Sequence, residues 1–237
     1  NGFVRRGAPT VMSLLGGPAS VLIGDYWLVS AVDNILASRT RSTEVIRIFA
    51  KTLRDLAEGE MLQLQKAGSC DTTEEDYLRI IYNKTASLFE AAGVSAAVSV
   101  DAPRDVVEVV REYCVALGMA FQIKDDIFDY SDGKGLGKPV GADLDESKIT
   151  LPLLGALRRT GSQEEARVRS LVRDIPSSPS NKLEIIDFVH RFDGVGYAVG
   201  RLGDFTTKAV EAIGKLPDSE EKDYLVRIAR FTAERNK

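Results

Sequence analysis

Apolar residues recur along most of this chain at intervals of three, four or seven positions, the spacing of one face of an α-helix. The longest such pattern runs from about Pro103, which suits the first turn of a helix, to Asp129. Its apolar side consists of Val110, Tyr113, Cys114, Leu117, Phe121 and Phe128. The sequence shows no alternating strand pattern of useful length. The pattern therefore predicts an all-α fold, a single-domain helical bundle over residues 1–237.

Further helices are predicted on both sides of this segment. Caps and periodicity place them at about residues 18–37, 43–68, 73–92, 164–174, 182–192, 197–213 and 220–235. Residues 21–36 are the most apolar segment, but Asp25 and Asp33 interrupt it. It is therefore predicted to be a buried helix and not a membrane span.

One of these helices has a predicted inward face. The inward side of the helix over residues 73–92 consists of Tyr77, Ile81, Leu88 and Ala92. This side is inferred by extending one 3.6-residue period along the whole helix. The last predicted helix carries the apolar residues Tyr224, Ile228 and Phe231.

An acidic cluster lies near the end of the longest predicted helix. Gln122, Asp125, Asp126 and Asp129 fall at i, i+3, i+4 and i+7, so an amide and three carboxylates share one side. Like charges at these spacings destabilise an isolated helix by roughly 0.2–0.5 kcal/mol per pair, and a cation is expected beside them. Mg²⁺ fits, because it binds carboxylate oxygens and bridges them to phosphates. A solvated acidic face explains the spacing equally well.

Lys84 and Thr85 are candidates for contact with an anion. They fall between Ile81 and Leu88 on the predicted inward side of their helix. A lysine at such a position is uncommon. Its ammonium either extends to the surface along the apolar side chain or reaches a buried anion.

Other basic residues lie in segments that are predicted to be turns and loops. Arg5 and Arg6 suit bidentate recognition of phosphate, although a surface turn explains them as well. The glycine-rich residues 131–147 carry Lys138, and Lys148 follows them. This segment is either a lid that brings a cation to an anionic ligand or a plain linker.

Composition narrows the class of protein only slightly. The 237 residues are 44% hydrophobic and 28% charged, which is typical of a globular protein with a sizeable core. With a net charge of -4, the chain lacks the excess of basic residues that is typical of a nucleic-acid-binding protein. Cys70 and Cys114 make no disulfide framework, and we recognise no signal peptide. We therefore expect a cytoplasmic protein without a transmembrane segment.

Six short motifs follow one another in an order typical of a known family. They are residues 5–10 (RRGAPT), 24–26 (GDY), 84–86 (KTA), 121–129 (FQIKDDIFD), 137–143 (GKPVGAD) and 147–152 (SKITLP). Together they resemble the trans-isoprenyl diphosphate synthases of the polyprenyl synthetase family. The last predicted helix is also similar to that of its bacterial long-chain members. A series of motifs along the whole chain is far more specific than any one of them.

The resemblance implies an all-helical bundle around a central cavity, usually a homodimer. It implies a Mg²⁺-dependent prenyltransferase whose partners are an allylic diphosphate and isopentenyl diphosphate. The allylic diphosphate ionises, isopentenyl diphosphate attacks the carbocation, and a proton is lost. By resemblance, Asp125, Asp126 and Asp129 hold Mg²⁺ against the allylic diphosphate.

The resemblance also implies roles for the basic residues. Arg5, Lys84 and Lys138 are expected to bind the allylic diphosphate, and Arg6 the isopentenyl diphosphate. Lys148 is a weaker match to the same lid.

Three uncharged residues are assigned by the same resemblance. Thr85 and the Gln122 amide oxygen are expected beside the developing carbocation, where oriented dipoles act most strongly if water is excluded. Phe121 is expected to line the isopentenyl site.

One part of the family pattern is not in this sequence. The first aspartate-rich motif, which lies just before the Arg-Arg-Gly turn, and the upstream isopentenyl-binding residues would precede Asn1. We therefore expect an N-terminally incomplete chain with half of its metal site and negligible activity by itself. A catalytically silent partner subunit of a heteromeric synthase remains an alternative, although its second motif should be degraded. A terpene cyclase would carry an Asn/Ser-rich metal motif on a later helix.

Overall fold

The computed structural model describes residues 4–5, 7–38, 41–131 and 141–235, with only the backbone of Arg5. Across these ranges the chain is a helical bundle, which confirms the predicted all-α class. Its α-helices are α1 (Val11–Leu15), α2 (Gly17–Ala37), α3 (Ser42–Ser69), α4 (Glu74–Ile81), α5 (Ser87–Ser99), α6 (Arg104–Phe128), α7 (Ala142–Asp145), α8 (Leu151–Leu157), α9 (Ser162–Arg173), α10 (Asn181–Arg191), α11 (Gly194–Gly214) and α12 (Glu220–Glu234). A π-helical turn, Tyr82–Ala86, joins α4 to α5.

Helix α6 forms the centre of the bundle and packs against α5 and α11. Its middle turns are buried: Ala116, Leu117, Gly118, Met119 and Ala120. Gly118 permits a close approach to the π-helical turn, because a Cβ atom there would lie 2.5 Å from the Cα atom of Ala86. Helix α8 is buried along its whole length. The core therefore extends along α6, and the predicted long helix is confirmed.

A small hairpin precedes the helices. Strands β1 (Val4–Arg5) and β2 (Ala8–Pro9) are antiparallel, with Val4 opposite Pro9 and Arg5 opposite Ala8. Each strand is two residues long, so an alternating sequence pattern could not reveal it. Thr10 then caps α1 by accepting a hydrogen bond from the backbone N–H of Ser13. Gly16, at φ 82°, separates α1 from α2.

Helix α2 has the predicted bounds, but the prediction that it is buried is wrong. None of its residues is buried, and Trp27 is 68% exposed. Its main contacts among the described residues are with α1 and α3. Within the described ranges α2 is also the one helix long and apolar enough to cross a membrane, and a single such helix is weak evidence for a span.

The π-helical turn changes which residues face inward. Before it, Tyr77 and Ile81 are buried as predicted. After it, Leu88 is 48% exposed and Ala92 is also exposed, whereas Glu90 and other α5 residues point inward. A π-turn holds about one residue more than an α-turn, so the 3.6-residue period loses its phase there. The predicted inward face is therefore wrong beyond the turn.

The large apolar residues that the sequence places on the last helix are exposed. Tyr224, Ile228 and Phe231 are each between 47% and 68% exposed. Ala229 and Thr232 are the buried residues of α12. Leu225 and Val226 also pack against the cluster that α12 forms with α6 and α11, so the buried side of α12 lies between the exposed residues.

Candidate functional site

A cavity of about 180 Å³ opens between α3, α4, the π-helical turn and α6. This is room for several water molecules, at roughly 30 Å³ each in the liquid. Five of the candidate residues line it: Lys84, Thr85, Gln122, Asp126 and Lys148. The fold thus brings together residues from three of the sequence motifs. We call this cavity the central pocket.

The π-helical turn presents Lys84 and Thr85 to the central pocket. The Lys84 side chain is 27% exposed, and its ammonium pairs with the Glu60 carboxylate of α3. The ammonium therefore lies at the wall of the pocket, between the surface position and the buried position that the sequence left open. π-helical turns often occur at functional sites, because the extra residue redirects neighbouring side chains.

Four polar side chains form a continuous hydrogen-bonded chain beside the pocket. The Thr85 hydroxyl donates to Gln122 Oε1 at 2.7 Å, and Gln122 Nε2 donates to Asp126 Oδ1 at 2.9 Å. The Tyr77 hydroxyl donates to the other Asp126 oxygen, Oδ2, at 2.6 Å. Tyr77 and Asp126 are only 3% and 4% exposed. We call these four residues the Tyr77–Thr85 chain.

The Asp126 carboxyl is in an environment that disfavours its negative charge. Burial, followed by the nearby Asp143 carboxylate, raises the pKa of Asp126 to about 8. The hydrogen bonds from Tyr77 and Gln122 act in the opposite direction. A positive charge beside Asp126 and Asp143 would favour ionisation of both carboxyls.

The other two aspartates of the acidic cluster face different partners. Asp125 pairs with Arg235, which follows α12. Asp129 accepts hydrogen bonds from the backbone N–H groups of Ala142 and Asp143, at 2.9 and 3.0 Å, at the start of α7. Burial, followed by Asp143, raises the pKa of Asp129. Of the three aspartates, only Asp126 lines the central pocket.

Phe121 lies on the side of α6 that faces α12. Its ring stacks under the Arg235 guanidinium, 4.4 Å from the ring centroid, and packs 5.5 Å from the Phe89 ring. It does not line the central pocket. Arg235 thus contacts both Phe121 and Asp125 at one end of the acidic cluster.

Lys148 adds a second cation to the pocket wall. Its ammonium lies 2.5 Å from Glu146 and 3.7 Å from Asp143. Burial alone would lower the pKa of Lys148, but the hydrogen bond with Glu146 and the charge of Asp143 raise it above its ordinary value. Lys148 is therefore a cation that an anionic ligand could contact.

Three candidate residues are not placed by the structure. Arg6 and Lys138 lie outside the described residues, and only the backbone of Arg5 is described, in β1.

Two residues of the pocket could not be recognised from the sequence pattern. The spacing predicts Tyr77 as a core residue, and nothing in it indicates a hydroxyl contact with a residue 49 positions away. Asp143 belongs to the GKPVGAD motif, but the motif alone does not indicate its role. The sequence signal for Asp143 is its position as an acidic residue at the end of a glycine-rich basic segment.

The pocket has the donors for a divalent cation shared with a ligand. In the part of the chain that the structure describes, no group of three or more His, Cys, Asp or Glu side chains is arranged to hold a metal ion. Asp126 and Asp143, however, are two carboxyls close enough for the charge of Asp143 to raise the pKa of Asp126 in a buried site. Carboxylate oxygens suit a hard cation such as Mg²⁺ or Ca²⁺. The residues present therefore fit such an ion if an anionic ligand supplies further oxygens.

Comparison with known proteins points to one family. The family model "Polyprenyl synthetase" matches residues 1–189 of the chain. The octaprenyl diphosphate synthase of Haemophilus influenzae is 38% identical over 238 residues, covering 98% of this chain and 70% of that protein. The Escherichia coli octaprenyl diphosphate synthase is 33% identical and covers 99% and 72%.

Solved structures agree with these relatives. The heptaprenyl diphosphate synthase of Staphylococcus aureus has a TM-score of 0.89 at 27% identity, covering 99% of this chain and 72% of that chain. A polyprenyl synthase from Caulobacter crescentus has a TM-score of 0.87 at 32% identity, covering 98% and 71%. That structure is described as a complex with calcium and isoprenyl diphosphate.

Proposed function

Because this chain belongs to the polyprenyl synthetase family and is a prenyltransferase, we propose that the central pocket binds the diphosphate of its allylic substrate. Isopentenyl diphosphate is the second substrate, and the product is a longer polyprenyl diphosphate. The observation that carries the proposal is that Lys84, Thr85, Gln122 and Asp126 meet in this one pocket. Lys84 and Thr85 come from one motif and Gln122 and Asp126 from another, and the two pairs lie 37 or more positions apart in the sequence.

The reaction needs positive charge where the diphosphate leaves. The allylic C–O bond breaks and both electrons go to the diphosphate oxygen. The double bond of isopentenyl diphosphate then attacks the cation, and a proton is lost. Lys84 and Lys148 lie at the pocket wall, where their ammonium groups would stabilise the departing diphosphate.

The carbocation needs the negative ends of dipoles. Thr85 donates its hydroxyl proton to Gln122, so the oxygen of Thr85 has only lone pairs to present to the pocket that it lines. Fixed dipoles of this kind cost no reorganisation when charge develops. Thr85 and Gln122 are therefore the residues that we propose to stabilise the cation.

We propose Mg²⁺ as the metal, held by the acidic cluster Asp125, Asp126 and Asp129. When bound, Mg²⁺ supplies a positive charge that stabilises the leaving diphosphate. Asp126 supports this role because burial and the neighbouring Asp143 carboxyl disfavour its charge until a cation is present. Asp125 would have to exchange its partner Arg235 for the ion.

The remaining assignments are also proposals. Arg5 and Lys138 would bind the allylic diphosphate, Arg6 would bind isopentenyl diphosphate, and Phe121 would line the isopentenyl site. They rest on the sequence motifs. We also propose that residues 1–237 form a single domain and that the protein is cytoplasmic.

We further propose that the protein is a homodimer. Exposed apolar side chains are concentrated on α2 and α3, which pack together: Val21, Leu22, Tyr26, Trp27, Val29, Leu36, Leu53, Met61 and Leu64. A concentration of exposed apolar side chains on two packed helices is typical of an interface. A second copy of the chain would bury it.

The test of the pocket is calorimetry with an unreactive thio analogue of an allylic diphosphate, on the protein as its gene encodes it. We expect binding in Mg²⁺ that weakens at least about tenfold in EDTA, since the ion links the carboxylates to the diphosphate. Equal affinity in both buffers would contradict the metal proposal. No binding in either buffer would contradict the pocket assignment.

A further inference from the structure

The hydroxyl of Tyr77 is a buried polar group that faces another side chain of the site. Tyr77 lies on α4, is 3% exposed, and donates to Asp126 Oδ2 at 2.6 Å. An apolar residue would fill the same core position without a buried polar group that needs a partner. The hydroxyl is therefore accounted for by its hydrogen bond to Asp126 and not by packing.

The contact with Tyr77 determines which Asp126 oxygen remains for Gln122. Because Oδ2 is engaged by Tyr77, Oδ1 is left to accept from Gln122 Nε2. An amide whose nitrogen faces Asp126 directs its oxygen the other way, and Gln122 Oε1 accepts from Thr85. Thr85 has one hydroxyl proton and donates it to Gln122. The direction of the Thr85 hydroxyl is therefore set by the same chain of hydrogen bonds.

Helix α4 is held firmly enough to serve as the fixed end of this chain. At its N-terminus Thr73 and Asp76 form a capping box. In the first turn, Glu74 accepts hydrogen bonds from Arg158, Tyr197 and Arg201. These contacts tie α4 to α11 and to the end of α8, so Tyr77 is positioned by the core and not by the pocket.

We propose that Tyr77 is a positioning residue of the prenyl-transfer site. Its hydroxyl fixes the Asp126 carboxyl and, through the amide of Gln122, the direction in which the Thr85 oxygen faces the pocket. This inference rests on the proposed function of the pocket, because it concerns the dipoles that face the developing cation.

The structural half of the proposal is tested without catalysis. In Tyr77→Phe the ring is kept and only the hydroxyl is lost. We expect exchange of the Gln122 side-chain amide protons with solvent, measured by NMR, to increase roughly tenfold or more, since their acceptor, the Asp126 carboxyl, is no longer held in place by Tyr77. The matched control is Tyr82→Phe, which removes a 2.7 Å hydrogen bond to Glu90 away from the pocket. It should leave the Gln122 amide unchanged.

The catalytic half is tested by steady-state kinetics on the same variants. We expect Tyr77→Phe to lower kcat roughly 10- to 100-fold, the scale of losing one oriented dipole, while KM for both diphosphates stays within about threefold. Tyr82→Phe should retain kcat. Circular dichroism melts of both variants establish that they fold.

The two measurements together can overturn the proposal in three ways. Unchanged amide exchange in Tyr77→Phe overturns it, even if the wild-type protein shows no prenyl transfer. Faster exchange with unchanged kcat also overturns it, because the orientation would then not matter for catalysis. A rise in KM with unchanged kcat would mean that Tyr77 contacts substrate directly, and this too contradicts a positioning role.

Failure of the proposed function is distinguishable from failure of the Tyr77 proposal. Prenyl transfer that is missing from the wild-type protein contradicts the proposed function of the pocket. The amide exchange measurement needs no turnover, so it still tests the contact between Tyr77 and Asp126.

Discussion

Among single residues, Asp126 gives the clearest dependence on pH. Its pKa in the folded protein is about 8, whereas the pKa of an aspartate in an unfolded chain is about 3.9. Between these values the folded state binds more protons than the unfolded state. The contribution of Asp126 to the free energy of unfolding of the metal-free protein should therefore fall as pH rises from about 4 to about 8.

Asp126→Asn should remove this loss of stability at higher pH, because the amide stays neutral at every pH. We expect the variant, in EDTA, to melt closer to the wild type at pH 5 and above it at pH 8. Thermal melts at the two pH values measure the difference. Asp187→Asn, at a position on α10 away from the pocket, controls for the loss of one charge. A wild-type melting temperature that rises from pH 5 to pH 8 relative to Asp126→Asn would contradict the environment described for Asp126.

A substitution of Lys84 should affect the reaction with the allylic substrate without affecting the stability of the fold. The ion pair of Lys84 with Glu60 is partly exposed, so it contributes little to stability. We expect Lys84→Ala to leave the melting temperature nearly unchanged and to lower kcat/KM for the allylic substrate by roughly 10-fold or more, because a pocket cation is lost. Lys51→Ala, which breaks the comparable pair with Asp55 on α3, should affect neither quantity strongly. A loss in kcat/KM of less than about threefold would place Lys84 outside the site.

The sequence predicted which residue types the pocket needs better than it predicted their partners. Asp125 and Asp126 are adjacent in the chain and therefore lie about 100° apart around α6. That difference directs Asp126 to Tyr77 and Asp125 to Arg235. Partners on distant helices cannot be read from local spacing, and for this reason the sequence does not indicate the roles of Tyr77 and Asp143.

At the scale of elements, the crossing of α3 over the π-helical turn supports the position of Lys84. A Cβ atom at Gly59 would lie 2.6 Å from the Cβ atom of Asn83 and 2.9 Å from the Cγ atom of Lys84. Only glycine allows α3 to lie this close. The position of the π-helical turn against α3 therefore depends on a glycine at position 59.

Gly59→Ala should push α3 away from the π-helical turn. We expect a destabilisation of roughly 1–3 kcal/mol, typical of overpacking, together with reduced prenyl transfer. Gly68→Ala is a matched control on the same helix, with nothing within 4 Å of the added Cβ atom. It should be neutral or stabilise by up to about 1 kcal/mol. Denaturant unfolding of both variants measures the difference, and equal effects would contradict the described crossing.

Helix existence and approximate bounds could be predicted from apolar spacing and caps, as α3, α6 and α12 illustrate. Helix faces could not always be predicted. A single π-turn shifts the phase of every later residue, and this accounts for the exposure of Leu88. For α12, Ala229 and Thr232 are buried and Leu225 and Val226 pack beside them, whereas Tyr224, Ile228 and Phe231 are exposed, and an apolar pattern alone does not say which of these residues meet α6 and α11.

For the whole molecule, the exposed apolar surface of α2 is the feature that requires a partner. The sequence correctly indicated that this helix is apolar, but it could not say whether its own chain would cover it. A buried helix and an interface helix have the same composition. The difference lies in the arrangement of the other elements.

We expect sedimentation at micromolar concentration to show a dimer that Leu22→Lys weakens, because a charge at an apolar interface must be desolvated. Leu22 is 67% exposed in the single chain. Leu183→Lys, at a leucine of α10 that is 69% exposed, is the matched control and should sediment like the wild type. A monomer at micromolar concentration would contradict the proposed homodimer.

The central claim is that the pocket formed by the KTA and FQIKDDIFD motifs carries out prenyl transfer. The most direct measurement incubates the protein, as its gene encodes it, with labelled isopentenyl diphosphate, Mg²⁺, and farnesyl diphosphate or another allylic primer. The products are then separated by chain length. The account predicts label in a prenyl diphosphate longer than the primer, and its loss in EDTA. No extended product with any allylic primer would contradict the account and would favour the silent-subunit alternative.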